Sequence, residues 1–424
     1  MLTIRSGLFL LVYCILAGCN SPSGDKELFK QILESAREKD FFSAQERLLS
    51  EGNRLSEAER HVLNAITANA FNDINSSESS IELLMKDYRD ELPDSISRIL
   101  LDLVQDNASK RYDYKRAKEA VNRIVQNYGK HLSSEKMKDY QNSLKLWTIL
   151  QDEPPQEVVL SDVDIEMIQD VAGLRNLPIH VAEDTVNFIF DTGANLSTVT
   201  RSTALKAGMT ILSDSIEVGA ITGESVYAQM AVCKEFLLDR IIVRNAVFIV
   251  LDDEQLAFPQ INYQINGIIG FPVIEALGEI QITKDGWFRV HERAGSDHQE
   301  KNLALDQLTP VIRIDGKHYN FDTGADHTML FKRFFDEHKD EIESTSTLSE
   351  INFGGAGGLT TQQGYHIDLP LTINGQKIEL SDVPVLTEET RGKWRDIYGN
   401  IGQDLIKKFD MMTINFRAMY IRFD

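Results

Sequence analysis

The chain writes one short sequence twice. Asn187-Phe-Ile-Phe-Asp191-Thr192-Gly193-Ala194 returns as Tyr319-Asn-Phe321-Asp322-Thr323-Gly324-Ala325, so that Asp191 and Asp322 hold the same place in two copies. Two apolar runs precede each copy. Leu177–Ala182 and Thr185–Phe190 flank a turn at Glu183-Asp184; Val311–Ile314 and His318–Phe321 flank Asp315-Gly316-Lys317. Polar turns between apolar runs are hairpin signals. A glycine-bearing hairpin pattern follows each copy, around Ala220–Gly223 and Gly354–Gly358. Then come Gly267-Ile268-Ile269-Gly270 and Gly399-Asn400-Ile401-Gly402, each at almost the same distance beyond its aspartate. A closing strand pair is expected after each, within Ile280–Val290 and Met411–Phe423. One Asp-Thr-Gly constrains little. Two, in matched surroundings at matched spacing, demand two β-rich halves of one plan, each presenting an aspartate on a turn.

From Val158 to Asp424 this pattern resembles the aspartic proteases, with a retroviral-type lobe repeated in tandem as a pepsin-like bilobal chain. The resemblance implies an all-β bilobal fold and an aspartic endopeptidase in which Asp191 and Asp322 are the catalytic pair. Thr192 and Thr323 would each bond across to the other lobe's backbone, while Gly193 and Gly324 would allow the tight turns. Ser197 and Thr328, six residues beyond each aspartate, would support the site from below. Ala194 and Ala325 match the retroviral form and lack the hydroxyl that bonds a carboxylate in pepsins. Losing such a bond to the charged form raises a carboxyl's pKa, so an optimum between about pH 5 and 7 is expected. Flaps are expected within Val218–Tyr227, with Thr222, Gly223 and Tyr227, and within Phe353–Thr361, with Gly355 and Gly357. In the second copy the family's hydrophobic-hydrophobic-Gly signature has a polar first position, Asn400.

Residues 26–152 have a different period. Apolar residues recur at helical spacing: Phe29, Ile32, Leu33 and Ala36, then Phe41, Ala44 and Leu48, and so on through seven segments ending at Leu150. Ser56 with Glu59 is a capping-box pattern. The run Asp113–Gly129 resembles one helix of a tetratricopeptide-type pair, which implies a scaffold able to hold a protein partner. Asp152-Glu-Pro-Pro-Gln156 ends the helices. The expected fold class is therefore multidomain α and β: an all-α domain over 26–152, a first protease lobe over 157–291, a linker at 292–307 and a second lobe over 308–424.

The chain opens with Arg5 and the apolar run Gly7–Leu16, too short to span a bilayer. Leu16-Ala17-Gly18-Cys19 resembles the lipobox of bacterial lipoproteins. It implies a signal peptide over 1–18, acylation of Cys19, a tether over 19–25 and anchoring in a lipid membrane. Asn20 in place of Asp points to the outer membrane of a Gram-negative cell, facing the periplasm. Of three cysteines Cys14 leaves with the signal and Cys19 is acylated, so Cys233 has no partner within the chain.

Charge excludes other classes. The formal net is -21; Asn20 to Asp152 holds 20 basic and 23 acidic residues, and Glu153 onward 23 and 42. A nucleic-acid binder needs clustered positive charge. The nine histidines form no His-x-x-x-His pair and no Cys grouping or phosphate loop occurs, so neither metal nor cofactor is expected. The expected partner is a peptide or protein substrate. The alternative is a catalytically silent or partner-dependent, lipid-anchored binding module.

Overall fold

The computed structural model describes residues 24–219, 225–259, 262–293, 300–355, 358–389 and 395–424. A helical region is followed by a β-rich body. The helices are α1 (Lys26–Arg37), α2 (Phe41–Glu51), α3 (Glu57–Ala70), α4 (Ile74–Asp87), α5 (Asp94–Lys110), α6 (Tyr114–Tyr128) and α7 (Ser134–Leu150). Six of them start on a capping side chain: Asp25, Asp40, Ser56, Asp73, Asp113 and Ser133. The Ser56–Glu59 capping box forms in full.

Three of the inter-helix turns are built alike. Lys39, Asn72 and Tyr112 have φ of 65°, 57° and 59°, and each is followed by an aspartate that caps the next helix. These turns face the β body. Lys39 Nζ reaches Asp306 at 2.7 Å, Asn72 Nδ2 donates to Glu275 Oε1 at 2.8 Å, and the Tyr112 hydroxyl donates to Pro272 O at 2.9 Å. At the far end Trp147 stacks on Tyr114 with ring centroids 6.1 Å apart. Both rings share an apolar cluster with Ile216, Met230 and Val247 of the β body.

The body has two large sheets joined by a third. In the first lobe, strand Asp184–Phe190 pairs in parallel with Gly267–Ile269, which also pairs antiparallel with Ser197–Thr200. In the second, strand Lys317–Phe321 pairs in parallel with Gly399–Ile401, which pairs antiparallel with Met329–Leu330. The hairpin before each motif forms. Its second-lobe turn places Asp315 and Gly316 at φ of 49° and 76°, the two consecutive left-handed residues of a type I′ turn.

Between the lobes a five-stranded sheet runs in the order Val163–Glu166, Trp287–Val290, Glu279–Thr283, Met411–Asn415, Tyr420–Phe423. Its central pairing, Ile280 against Ile414, ties one lobe's closing strands to the other's. Phe288 is fully buried there and meets Phe190 edge-on at 5.4 Å. Cys233 is buried in a strand, where burial pushes its thiol up to about 11.

The stretch 292–307, expected as a linker, is not one throughout. It carries a strand at Leu303–Asp306 that pairs with Thr309–Ile314 and forms the edge of the second-lobe sheet. Leu303, Ala304 and Leu305 are all buried. Three consecutive apolar residues were too short a run to announce a strand between polar neighbours.

Trp147 joins helices to body, and among the described residues its buried indole N–H has no acceptor. Trp147→Ala should therefore cost about 3–5 kcal/mol in urea unfolding. Trp147→Phe should cost clearly less, because it deletes the unpaired N–H together with the lost area.

Candidate active site

The register of each lobe delivers an aspartate to the same place. Asp191 follows the strand paired with Gly267–Ile269, and its N–H donates to Ile269 O at 3.1 Å; the Asp322 N–H donates to Ile401 O at 3.0 Å. The two turns meet head to head. A Cβ added to Gly193 would lie 2.6 Å from Asp322 Cγ, and one on Gly324 would lie 2.3 Å from Asp191 Cγ. Only glycine allows each turn to sit against the opposite carboxyl.

The threonines lock this arrangement. The Thr192 hydroxyl donates to Phe321 O at 2.8 Å and accepts the Thr323 N–H at 3.0 Å. The Thr323 hydroxyl donates to Phe190 O at 2.8 Å and accepts the Thr192 N–H at 3.1 Å. Both side chains are buried, so four hydrogen bonds cross between the lobes in a water-free setting, where an unmade bond is expensive. Below them, Ser197 Oγ accepts the Gly270 N–H at 3.0 Å and Thr328 Oγ1 accepts the Gly402 N–H at 3.2 Å. Asn195 adds a further contact between the lobes, accepting from Thr309 Oγ1 at 3.0 Å.

Asp191 Oδ1 accepts N–H bonds from Gly193 at 2.8 Å and Ala194 at 3.1 Å. Asp322 Oδ1 accepts from Gly324 at 2.9 Å. Loss of water and, after it, the facing Asp322 carboxyl raise Asp191 well above the ordinary carboxylate range; the Gly193 and Ala194 amides oppose this. Two carboxyls so close favour a shared proton. The Ala194 and Ala325 N–H groups both reach the backbone carbonyl of their aspartate, at 3.4 and 3.3 Å, but only Ala194 adds a bond to the carboxyl, so the halves are not identical.

Sequence reasoning passed over three residues here. Asn400 Nδ2 donates to Asp322 Oδ2 at 2.9 Å. Gln403 Nε2 donates to Thr323 O at 2.8 Å, and Asp404 Oδ1 accepts from Thr328 Oγ1 at 2.7 Å. Asn400 did leave a signal: it is the polar residue where the first half has Ile268. His327 is exposed and paired with Asp326 at 2.7 Å.

Of the flap candidates, Tyr227 projects from strand Ser225–Leu238 and is 72% exposed. Gly355 ends strand Ser349–Gly355. Thr222, Gly223, Gly357 and the acylation candidate Cys19 lie outside the described residues. The neighbouring strand Thr210–Gly219 lies at the edge of its sheet, and α7 covers it. Asn142 accepts the Glu217 N–H at 2.9 Å and donates to Glu217 O at 2.7 Å, while Lys138 pairs with the Glu217 carboxylate at 2.7 Å.

Residues 177–273 match the family described as aspartyl protease. The match takes in Asp191, Ser197 and Gly270 and ends before the second motif; this first lobe has an aspartic-protease-like fold. Among solved structures the chain is similar to basic 7S globulin from soybean, at 12% identity and a TM-score of 0.39, covering 63% of this chain and 95% of that one. No curated protein matches.

Two outcomes follow for stability. Thr323→Val leaves the Phe190 carbonyl and the Thr192 amide unpaired, and should cost about 1–3 kcal/mol for each, read from urea midpoints. The second concerns pH. An unfolded Asp191 ionises near pH 4, whereas the folded one holds its proton to higher pH. The folded state then binds more protons, so stability falls as pH rises from the unfolded value through the folded one. Asp191→Asn should remove that part of the slope when midpoints of both proteins are compared across pH.

Proposed function

We propose that this chain is an aspartic endopeptidase whose Asp191 and Asp322 together activate water against a peptide carbonyl. The observation that carries the reading is the head-to-head placement of the two carboxyls behind the crossed threonine bonds. With one proton between them, the charged carboxyl takes a proton from a bound water as its oxygen bonds to the carbonyl carbon. The neutral carboxyl gives its proton to the carbonyl oxygen. Collapse of the resulting diol, with a proton returned to the nitrogen, breaks the C–N bond. No metal or cofactor enters this chemistry.

The substrate is read as an extended peptide lying across the lobe interface, pairing as an added strand. The flap candidates Val218–Tyr227 and Phe353–Thr361 are read as covering it, with Tyr227 against the bound chain. Leu16-Ala17-Gly18-Cys19 supports a lipid-anchored protein, acylated on Cys19 and facing the periplasm from the outer membrane. The like-built helix turns that recur at Lys39, Asn72 and Tyr112 support reading the helices as tetratricopeptide-type pairs that receive a protein partner. The hold of α7 on Glu217 favours a partner-dependent form of the same activity, since that strand leads into the flap.

The test is incubation of the full chain with a mixed peptide library. Cleavage that pepstatin inhibits, and that Asp191→Asn and Asp322→Asn each reduce by about 10³-fold or more, is the expected result. Intact peptides under all conditions, or cleavage that survives Asp191→Asn, would refute the assignment. Activity requires one proton on the pair, so it falls at low pH, where both are protonated, and at high pH, where neither is. The two alanines and the export signal support an expected maximum between about pH 5 and 7, and the upward direction at Asp191 agrees with it; a maximum below pH 3 counts against it.

A further inference from the structure

The two halves treat their carboxyls differently, and the difference lies in one side chain. Strand Gly399–Ile401 sets Asn400 beside Asn320, and strand Gly267–Ile269 sets Ile268 beside Ile189. Ile268 is a buried hydrocarbon with nothing to give its aspartate. Asn400 gives an N–H to Asp322 Oδ2. Both oxygens of Asp322 thus receive an N–H, one from Gly324 and one from Asn400. On Asp191 both N–H bonds converge on Oδ1, and among the described residues Oδ2 receives none.

Resting on the dyad reading above, we propose that Asn400 is a positioning residue that fixes where the shared proton sits: Asp322 is the carboxylate and Asp191 Oδ2 carries the proton. An N–H bond to an ionised acceptor is roughly twice as strong as one to a neutral acceptor. A carboxyl with N–H donors on both oxygens therefore gains most by staying charged, and the oxygen without one is the natural seat of the O–H. The raised value of Asp191 agrees with this in direction.

Other charges around the turns are engaged elsewhere. Asp326 and His327 pair with each other, and Asp404 takes the Thr328 hydroxyl. Arg175, which lines the small cavity behind Thr323 and Gln403 with Lys407, is bound to the carbonyls of Thr283 and Lys284. The roles follow. Asp322 accepts the water's proton as the water oxygen bonds to carbon, and Asp191 hands its proton to the carbonyl oxygen. After that step the proton lies on Asp322 and the charge on Asp191.

The test uses the full chain with ¹³Cγ-labelled aspartate, titrated by NMR; the two signals are assigned by their loss in Asp191→Asn and Asp322→Asn. The Asp322 signal should ionise first and the Asp191 signal last. Asn400→Ile, which copies the first lobe, should move the first ionisation up by about one to two pH units. The acid limb of kcat/KM should move with it. Asn400→Leu, close in size, uncharged and without the donor, should move it the same way, which covers the case where the isoleucine variant does not fold. First ionisation at Asp191, or a first ionisation unmoved in either folded variant, overturns the proposal even with peptide cleavage intact. If the native chain cleaves nothing, the endopeptidase reading fails instead, and the NMR order still decides where the proton sits.

Discussion

Everything at the centre of this molecule depends on two threonine hydroxyls that each serve the opposite lobe. Thr192 and Thr323 satisfy a carbonyl and an amide across the interface, at 2.8 to 3.1 Å. Those four backbone groups end the strands Asp184–Phe190 and Lys317–Phe321, or begin the turns beyond them. In a buried interface they have no water to fall back on. The lobes therefore cannot separate at this point without stranding all four groups. That constraint holds together two carboxyls that would otherwise repel, and it makes their proximity a property of the backbone.

Much of this was legible in the sequence, because it rests on residues whose type is forced. Gly193 and Gly324 must be glycine, since any Cβ would enter the opposite carboxyl. The helices were legible for a simpler reason: Leu28, Ile32, Leu33 and Ala36 in α1, and Ala117, Ala120, Val121 and Ile124 in α6, recur at the spacing of one buried face, and six of the seven helices start on a Ser or Asp cap. The duplicated pattern also led to the closing strands within Ile280–Val290 and Met411–Phe423. Their joining into one sheet depends on pairing between segments far apart in the chain, and it left no local mark. Strand Leu303–Asp306 was hidden because its three apolar residues lie beside a polar stretch. Asn400 was visible as a departure, but its meaning needed the register that puts residue 400 beside Asn320, from where its amide reaches the Asp322 carboxyl.

The helical region touches both lobes through different turns. Lys39 and Glu38 meet the second lobe, where the His318 Nε2–H reaches Glu38 O at 3.0 Å and Arg333 pairs with the Glu38 carboxylate at 3.4 Å. Tyr112 and α7 meet the first. Asn72 lies where the lobes join, donating to Glu275 and, at 3.4 Å, to Phe416 O. Helices fastened at three such points brace the two lobes in addition to the threonine bonds.

These two kinds of fastening act on different parts of the site. The threonines fix the carboxyls from inside, through bonds that no helix touches. Asn142 fixes Glu217 from outside, at the edge of the sheet and just before Gly219, where the described strand ends. An edge strand normally offers its unpaired N–H and C=O to any passing chain; here the Asn142 amide fills one such pair. A displacement of α7 would free that edge of strand Thr210–Gly219, while the carboxyls stayed where the threonines hold them. The edge of this sheet and the paired carboxyls are thus held by separate contacts, so a change at the helices can reach the first without disturbing the second.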